Sequence, residues 1–337
     1  MIEHSAYLAG SPDSVFEAIE ALAEKNGFDV ERTEASLRID APLGQVTMRR
    51  SAPGAEITFG AESPALLQLL KDVYAQRFAK LGLEQALEWQ PLSEKWPLNQ
   101  IFCRVVSTTR ISPNFMRLRL EGDFRAFARP GAGLHFRLLF SETGADWPRL
   151  DERGLTLWPG GVQSWHRPPY TVRVLSPDAD WMDVDIVLHD GGRVTDWCSR
   201  VQPGEEVVMH GPSGSSQLNA GWLGLIGDET ALPVLMRLIE GAPAATSGQA
   251  TILVRDPGDM QELRSASAIR LNWADMNATD PTELISELKP PEDDYRIFFA
   301  AERSQATEAR KIFKQVGFRP GQAKAASYWT DPARDAG

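Results

Sequence analysis

One stretch of the chain, residues 165–197, combines residue types that could bind a planar ring and a phosphate. Tyr170 and Thr171 begin a β-rich run, where an aromatic ring can lie flat on a heterocycle and a neighbouring hydroxyl can hydrogen-bond a ring nitrogen. Two glycines at 191–192 precede a helix predicted to start at Thr195, whose free N–H groups would suit a pyrophosphate. A planar ring joined to a pyrophosphate describes flavin adenine dinucleotide (FAD). Each half alone is explained more simply by a surface tyrosine and an ordinary glycine turn.

Further motifs accompany this stretch in a fixed order along the chain. They are Tyr170-Thr171-Val172-Arg173, Val187-Leu188-His189, Gly192 to Trp197, Gly211-Pro212-Ser213-Gly214, Gly227 to Pro233, and Tyr328-Trp329. Together they resemble the siderophore-interacting proteins, which are bacterial ferric-siderophore reductases. The resemblance covers roughly residues 98–330, and several ordered motifs at family-like spacing are much harder to obtain by chance than one.

The resemblance implies roles for individual residues. Tyr170 would pack on the isoalloxazine ring and Thr171 would lie near its N5 atom, and these two are the predicted catalytic residues. Arg173 and the helix start at Thr195 would hold the phosphates. The predicted cofactor-binding residues are Arg167, Tyr170, Thr171, Val172, Arg173, His189, Gly192, Arg193, Val194, Thr195, Trp197, Asp228, Thr230 and Glu302. No metal site is predicted.

The chain departs from the family pattern at two places. The family has an arginine two residues before the tyrosine, whereas Pro168 stands there and the nearest arginine is Arg167. The family's turn is Gly-Pro-Ala-Ser, whereas residues 192–195 are Gly-Arg-Val-Thr. Arg193 adds a positive charge where a phosphate would lie, which could compensate for the displaced Arg167.

The composition limits the classes of function. The 337 residues are 42% apolar and 24% charged, as expected of a globular protein with two or three domains. A net charge of −11 argues against nucleic acid or an anionic membrane as the main partner. Only Cys103 and Cys198 are present, which excludes iron–sulfur and zinc spacings but leaves one long-range disulfide open. No run approaches ~18 apolar residues and residues 1–10 lack a basic start, so we expect a cytoplasmic protein without membrane insertion.

Residues 1–92 predict a small α+β domain with a helix near each end. Ser11 and Pro12 are typical of a helix start and Gly27 of its end, and Ser63-Pro64 repeats the start signal. Strand-like runs lie between the helices, at residues 28–32, 36–40, 45–50 and 56–59. The region resembles a small domain of unknown function that is sometimes fused to siderophore reductases. The charged residues of the second helix are predicted to lie on a solvated face: Lys71, Arg77 and Lys80.

Two further domains follow a linker at residues 91–99. Residues 98–215 carry short alternating runs with frequent turns, which predict an antiparallel FAD-binding β-barrel. His135 and Arg137 fall on one face of a strand there and are predicted to be barrel-surface residues. Strand–helix alternation in residues 216–337 predicts a parallel sheet flanked by helices, and hence a ferredoxin-reductase-like arrangement of a barrel and a nucleotide-binding domain.

A second cofactor site is predicted at Gly227 to Pro233, between a strand and a helix. The spacing is not a dinucleotide fingerprint, but a nearly identical sequence occurs in the siderophore reductases. Asp228 and Glu229 place two carboxylates at the helix start, which would repel a dinucleotide's phosphates. Either the pyrophosphate lies off this turn, held by Arg255 or Arg303, or the electron donor is ferredoxin rather than NADPH or NADH.

A ferric siderophore is the acceptor that the resemblance implies. Such chelates are often anionic, so basic residues near the flavin are candidates for substrate contacts: Arg137, Arg255, Arg303, Lys311 and Lys324. Two other functions stay open at this point. A general flavin or ferredoxin-type reductase would use the same two domains with another acceptor, and a non-enzymatic binding protein would have lost the flavin site.

Overall fold

The computed structural model describes residues 1–10, 13–214, 218–319 and 321–331. They form two compact units. One unit comprises Met1–Phe102, Phe136–Pro169 and Val207–Ser213, and the other comprises Cys103–His135, Tyr170–Glu206 and the residues from Gly214 onward. No helix in the described part of the chain is long and apolar enough to cross a membrane. Ser11 and Pro12, the predicted start of the first helix, lie outside the described residues.

The N-terminal residues form an α+β fold, as predicted. Its elements are β1 (Ile2–Leu8), α1 (Asp13–Lys25), β2 (Asp29–Arg32), β3 (Ser36–Ala41), β4 (Gly44–Ser51), β5 (Gly54–Ala61), α2 (Pro64–Lys80) and β6 (Leu87–Trp89). The six strands form one antiparallel sheet in the order β2-β3-β4-β5-β1-β6. Phe16 of α1 and Tyr74 of α2 share one hydrophobic core with the sheet. The first strand, β1, has no counterpart in the sequence analysis.

Helix α2 begins as predicted but buries a lysine that was expected in solvent. The hydroxyl of Ser63 accepts a hydrogen bond from the N–H of Leu66 at 3.2 Å, which caps the helix. Lys80 is exposed, whereas Lys71 is 0% exposed. Its ammonium donates to the carbonyl of Gly154 at 2.8 Å. The prediction for Lys71 is therefore wrong, because a segment distant in sequence covers that face of the helix.

The predicted antiparallel barrel is confirmed. The elements of this region are β7 (Gln100–Ser112), β8 (Phe115–Gly122), β9 (His135–Leu138), β10 (Phe140–Ser141), β11 (Arg149–Leu150), β12 (Thr156–Leu157), β13 (Trp165–His166), β14 (Pro169–Leu175), β15 (Trp181–Val187), α3 (Arg193–Cys198) and β16 (Glu206–Ser213). Six of the strands close into a barrel in the order β14-β15-β8-β7-β16-β9. Helix α3 begins at Arg193, two residues before its predicted start.

The C-terminal residues form the predicted parallel sheet with flanking helices. Its elements are β17 (Trp222–Gly227), α4 (Leu232–Glu240), β18 (Ser247–Val254), β19 (Ala268–Asp275), β20 (Tyr295–Glu302), α5 (Arg303–Val316) and β21 (Ala323–Trp329). The strand order is β19-β18-β17-β20-β21 and every neighbouring pair is parallel. Strands β19 and β21 are absent from the sequence analysis. Both are edge strands with partly exposed, alternating residues, so they lack the continuous apolar runs of the central strands.

Both cysteines are buried free thiols. Burial raises the pKa of Cys103 and of Cys198 to about 12, so neither is a reactive thiolate near neutral pH. The disulfide that the sequence left open is therefore not formed.

Candidate functional site

The hydroxyl of Thr171 is buried in β14 and held by a histidine. Thr171 is 6% exposed, and its Oγ1 lies 3.1 Å from Nδ1 of His135. The other ring nitrogen, Nε2, lies 3.5 Å from the hydroxyl of Tyr328. A Cβ at Gly214 would lie 2.6 Å from Cδ2 of His135, so the close approach to the ring requires glycine. The structure therefore connects the predicted flavin strand to β21 through one imidazole.

The imidazole of His135 is neutral near pH 7. Burial, with a smaller effect of the charge on Lys324, lowers the pKa of His135 to about 4. A neutral imidazole carries one N–H, so the direction of the Thr171 hydroxyl proton depends on which ring nitrogen of His135 is protonated. Arg137 is exposed, as predicted for a barrel-surface residue. His135 lies on the same face of β9, where Tyr328 packs edge-on against its ring and leaves it half-buried.

Tyr170 and Val172 flank Thr171 on the same strand. Tyr170 is half-buried, and burial raises the pKa of its phenol, with a smaller contribution from the neighbouring Cys198 of α3. Val172 is 1% exposed and belongs to the core, so its backbone is the part of the residue that could contact a cofactor. A ring lying on Tyr170 would therefore meet an apolar, poorly hydrated surface.

The glycine turn before α3 is tight. Gly191 has a φ of 71°, and a Cβ at Gly192 would lie 2.7 Å from Cε1 of His189 and 2.8 Å from Oγ1 of Thr195. Thr195 accepts a hydrogen bond from the N–H of His189 at 3.2 Å. Gly192 caps the helix without a side-chain hydrogen bond. Three predicted cofactor residues thus lie together.

Other predicted residues of this turn point in different directions. Val194 is 6% exposed and packs inward. Arg193 is exposed, and Trp197 is partly exposed. Of these three residues Arg193 is the charged one, and two acidic residues beside it, Asp190 and Asp196, are exposed as well.

Arg173 makes a carboxylate pair on helix α4. Its two terminal nitrogens donate to the two oxygens of Glu240 at 2.7 and 2.9 Å, and its Nε lies 3.8 Å from Asp185. Arg173 is only 8% exposed. Asp185 also accepts two hydrogen bonds from Arg117, at 2.7 and 2.9 Å. A phosphate at Arg173 would have to replace the Glu240 carboxylate, so this predicted contact stays a prediction.

Two arginines lie together in the first compact unit. Nη1 of Arg137 donates to the carbonyl of Arg167 at 2.7 Å, and the Arg167 guanidinium lies 4.7 Å from the ring centroid of Trp158. Burial, and then the charge of Arg137, lowers the pKa of Arg167. Within the described ranges, neither guanidinium forms an ion pair with a carboxylate. Two neighbouring cations of this kind favour an anionic ligand.

The predicted nucleotide site lies where the order of the parallel sheet reverses, between β17 and β20. Asp228 follows β17 and is 1% exposed. One of its oxygens accepts from the N–H and the hydroxyl of Thr230 at 2.9 and 2.5 Å, and the other accepts from the indole of Trp329 at 2.7 Å. Glu302 ends β20 and caps α5 by accepting from the N–H of Ser304 at 2.6 Å. A cavity of about 100 Å³ lies between these carboxylates.

The two acidic residues at this turn are already satisfied. Burial raises the pKa of Asp228 and of Glu229, while hydrogen bonds to each carboxylate oppose the rise. Glu229 pairs with Arg255 at 2.5 Å. Their charges are therefore largely compensated, and the repulsion of phosphates expected from the sequence is weaker than two free carboxylates would produce. For the same reason Arg255 is less available to a phosphate.

Comparison with known protein families agrees with this arrangement. Residues 104–216 match the model of the siderophore-interacting FAD-binding domain, and residues 220–332 match the model of the siderophore-interacting protein. The chain belongs to the siderophore-interacting protein family. This family match confirms the resemblance found in the sequence and covers the barrel and the parallel sheet.

Named relatives of this family member include two reductases. An NADPH-dependent ferric-chelate reductase of Escherichia coli is 27% identical over 237 residues, which are 67% of this chain and 91% of that protein. Ferric vibriobactin reductase ViuB of Vibrio cholerae is 25% identical over 252 residues, 69% of this chain and 91% of that protein. A siderophore utilization protein from T. fusca has a similar structure, with a TM-score of 0.61 and 27% identity over 72% of this chain and 97% of that one.

The residues of this siderophore-interacting protein fit the FAD that its barrel implies. The backbone at Gly192 packs so closely against His189 and Thr195 that only glycine fits, which holds these two polar side chains beside the start of α3. Arg137 and Arg167 supply positive charge, and neither guanidinium is paired with a carboxylate of the described residues. An aromatic ring, a buried hydroxyl and a tight glycine turn in the second unit, and paired cations in the first, are the kinds of group that a flavin with a pyrophosphate requires.

The predicted substrate residues are dispersed. Lys311 lies on the outer face of α5 and pairs with Glu308 at 2.7 Å. Arg303 is exposed at the start of the same helix. Lys324 is exposed on β21, and its charge acts on His135. Of these, Lys324 is the cation that the structure brings to the Thr171 strand.

Three residues of the site have no assigned role in the sequence analysis: His135, Trp158 and Trp329. In the sequence, Trp329 is part of the family-like Tyr-Trp pair, and no motif includes Trp158. Their partners, Thr171, Arg167 and Asp228, are 36, 9 and 101 residues away. Spacing along the chain carries no signal for such pairs.

Proposed function

We propose that the protein is an FAD-dependent reductase of ferric siderophores that releases Fe²⁺. The observation that carries the proposal is the Tyr170-Thr171 strand with its histidine-held hydroxyl, in a barrel that matches the family's FAD-binding domain. The relatives named as reductases of ferric chelates each match about two thirds of this chain. The reaction is therefore an oxidoreduction between a nicotinamide donor and an iron chelate.

The residues of this chain would hold the cofactor and exclude water from it. Tyr170 would pack on the ring and Thr171 would direct its hydroxyl toward the ring edge, and these two are the proposed catalytic residues. His189, Gly192, Arg193 and Thr195 would surround the pyrophosphate, and Arg167 would supply a further positive charge. When bound, FAD accepts a hydride in one event and passes on single electrons.

The electron donor is NADPH or NADH in our proposal, with reduced ferredoxin as the alternative. The switch point of the parallel sheet lies beside Asp228, Thr230 and Glu302, and the hydrogen bonds to Asp228 compensate the charge that would otherwise repel a nucleotide there. Anaerobic mixing with NADPH, NADH and reduced ferredoxin would decide among them. Flavin bleaching by ferredoxin alone would reject the nicotinamide route.

The physiological acceptor is a ferric siderophore because reduction weakens the chelate. A siderophore binds Fe³⁺ far more tightly than Fe²⁺, and each decade of that ratio lowers the iron potential by ~59 mV for one electron. Among the predicted substrate residues, Lys311 and Arg255 are already paired with acidic side chains, whereas Lys324 in one unit and Arg137 in the other form no ion pair in the described part of the chain. We also propose a cytoplasmic location and domain limits of 1–92, 98–215 and 216–337.

Anaerobic turnover with several ferric siderophores and a ferrous trap tests the proposal. We expect chelate-dependent reoxidation of the flavin and formation of the ferrous complex, both lost in Tyr170→Ala. Reoxidation no faster than with ferric citrate would reject the siderophore and indicate a general flavin reductase. A protein that neither releases nor binds FAD would reject the enzyme altogether.

A further inference from the structure

The N-terminal α+β region has no role in the proposed reaction, yet one face of its helix α2 is built around a distant loop. Gln68, Lys71 and Asp72 share that face because they are three and four residues apart. All three contact the segment from Gly154 to Thr156, within the same compact unit. Leu155, 8% exposed, lies in the hydrophobic core of the N-terminal sheet.

Each of these contacts is specific. Asp72 accepts from the N–H of Thr156 at 3.1 Å and from its hydroxyl at 2.5 Å. The ammonium of Lys71 donates to the Gly154 carbonyl at 2.8 Å and lies 5.9 Å from the ring centroid of Trp89. Gly154 has a φ of 68°, and a Cβ there would lie 2.7 Å from Leu92 and 3.0 Å from the Lys71 nitrogen. An unpaired charge in the protein interior is energetically unfavourable. The contacts of Lys71 and Asp72 therefore hold this loop at one position on the helix.

The same loop continues to Trp158, whose ring contacts Arg167, a proposed FAD-binding residue. Trp158 follows Thr156 by two residues, a rise of only ~7 Å along an extended chain. Its ring lies 4.7 Å from the Arg167 guanidinium and 5.2 Å, centroid to centroid, from His210. The position of Thr156 therefore limits where Trp158 can lie.

Arg167 needs this support. Burial, and then the like charge of Arg137, lowers the pKa of Arg167. The Arg167 carbonyl accepts a hydrogen bond from Arg137, while the Arg167 side chain has no carboxylate partner in the described part of the chain. The face of Trp158 is the attractive surface that the structure offers to this guanidinium. Without that ring, this guanidinium would lose a cation–π contact while the like charge of Arg137 remained.

We propose that the N-terminal region is a clamp that positions Arg167 for FAD, acting through the Asp72–Thr156 and Lys71–Gly154 contacts and the ring of Trp158. The inference rests on the proposed function, in which Arg167 contacts the cofactor. Asp72, Lys71 and Thr156 are positioning residues that do not touch FAD. The clamp gives the N-terminal region a role in cofactor affinity rather than in chemistry.

The test compares Thr156→Val, Asp72→Asn and Trp158→Leu with Lys80→Ala, an exposed position on the same helix. The dissociation constant of FAD is measured by flavin fluorescence, and folding of the flavin-free proteins by thermal unfolding. We expect each of the three variants to weaken FAD binding by about 3- to 10-fold, and Lys80→Ala to leave it unchanged. The Thr156→Val/Trp158→Leu double variant should be no weaker than Trp158→Leu alone, because both act through one ring.

A second readout is independent of the cofactor. In protein labelled with 5-fluorotryptophan, the ¹⁹F resonance that is missing from the spectrum of Trp158→Leu belongs to Trp158. Thr156→Val should shift this resonance, and Lys80→Ala should leave it unchanged. An unchanged resonance, or a lower melting temperature with unchanged FAD affinity, would overturn the clamp. Additive losses in the double variant would also overturn it. Wild-type protein that binds no FAD would reject the proposed function. Wild-type protein that binds FAD, together with variants that bind it equally tightly, would reject the clamp alone.

Discussion

Nδ1 of His135 and Oγ1 of Thr171 are 3.1 Å apart, and together they fix the orientation of the hydroxyl proposed to face the flavin. Because burial lowers the pKa of His135 to about 4, the bond joins two neutral groups at pH 7. The proton between them can lie on either atom, depending on the tautomer. Tyr328 at the other ring nitrogen biases that choice.

Replacement of His135 by two amides should separate the roles of its ring nitrogens. Asn places a polar atom near the position of Nδ1, whereas Gln reaches the position of Nε2. We expect His135→Gln to slow flavin reduction by roughly 2- to 10-fold, the equivalent of one hydrogen bond of about 0.5–1.5 kcal/mol, and His135→Asn to retain most of the activity. Rapid-mixing rates and FAD dissociation constants of both variants provide the measurement.

Equal losses in the two amide variants would contradict this role for His135, since a ring needed only for packing should not distinguish them. Lys324→Ala serves as a control for the charge beside the ring. It should raise the pKa of His135 slightly while leaving the hydrogen bond to Thr171 in place.

The strand carrying Thr171 could be predicted from sequence, but its histidine partner could not. A β-rich run followed by glycines is a local signal, and the barrel and the parallel sheet both follow from such local patterns. His135 is a lone histidine 36 residues before Thr171, and only the closure of β9 against β14 brings them together. The same reasoning explains Lys71, whose burial depends on a loop 83 residues away.

Acidification should reveal the buried histidine in the N-terminal core. His4 is 4% exposed and stacks on Trp89, and burial followed by the charge of Lys71 lowers its pKa to about 4. The folded state then binds fewer protons than the unfolded state below pH 6.5, so the free energy of unfolding falls as the pH falls from 6.5 to 4. The slope contributed by one such histidine is at most about 1.4 kcal/mol per pH unit.

His4→Phe keeps an aromatic ring on Trp89 and removes this titration. Urea unfolding of the wild type and the variant at pH 7, 5.5 and 4.5 should give curves that diverge toward low pH, with the variant losing less stability. Comparing the two proteins cancels other groups, including the carboxyls of Asp72 and Asp228, whose raised pKa values act in the opposite direction. Parallel losses in both proteins would contradict the assignment.

Replacing Arg173 should destabilise the protein even without FAD. The side chain is 8% exposed and its paired nitrogens are occupied by Glu240, so Arg173→Met leaves a partly buried carboxylate without its partner. We expect a loss of about 1–3 kcal/mol in the unfolding free energy of the flavin-free protein. Arg173→Lys should lose less, because it keeps the charge but not the two-pronged geometry. Unchanged stability with strongly weakened FAD binding would instead support Arg173 as a phosphate ligand.

Trp329 should stabilise the predicted nucleotide site through one hydrogen bond to Asp228. Its indole N–H donates to Oδ2 of Asp228 at 2.7 Å, while Oδ1 of Asp228 already accepts a hydrogen bond from Thr230. Trp329→Phe keeps an aromatic ring but leaves a buried carboxylate oxygen without a donor, at a cost of about 1–3 kcal/mol. The pKa of Asp228 should then rise further, since burial already raises it and one opposing hydrogen bond is gone. The raised folded-state pKa of Asp228 means that the stability lost by the variant should be greatest near neutral pH and should diminish on acidification.

Urea unfolding between pH 5 and 8 measures both effects. Trp273→Phe is the control, because the indole of Trp273 has no hydrogen-bond partner in the described part of the chain. A Trp329→Phe protein as stable as the Trp273→Phe protein at every pH would show that Asp228 does not depend on this bond.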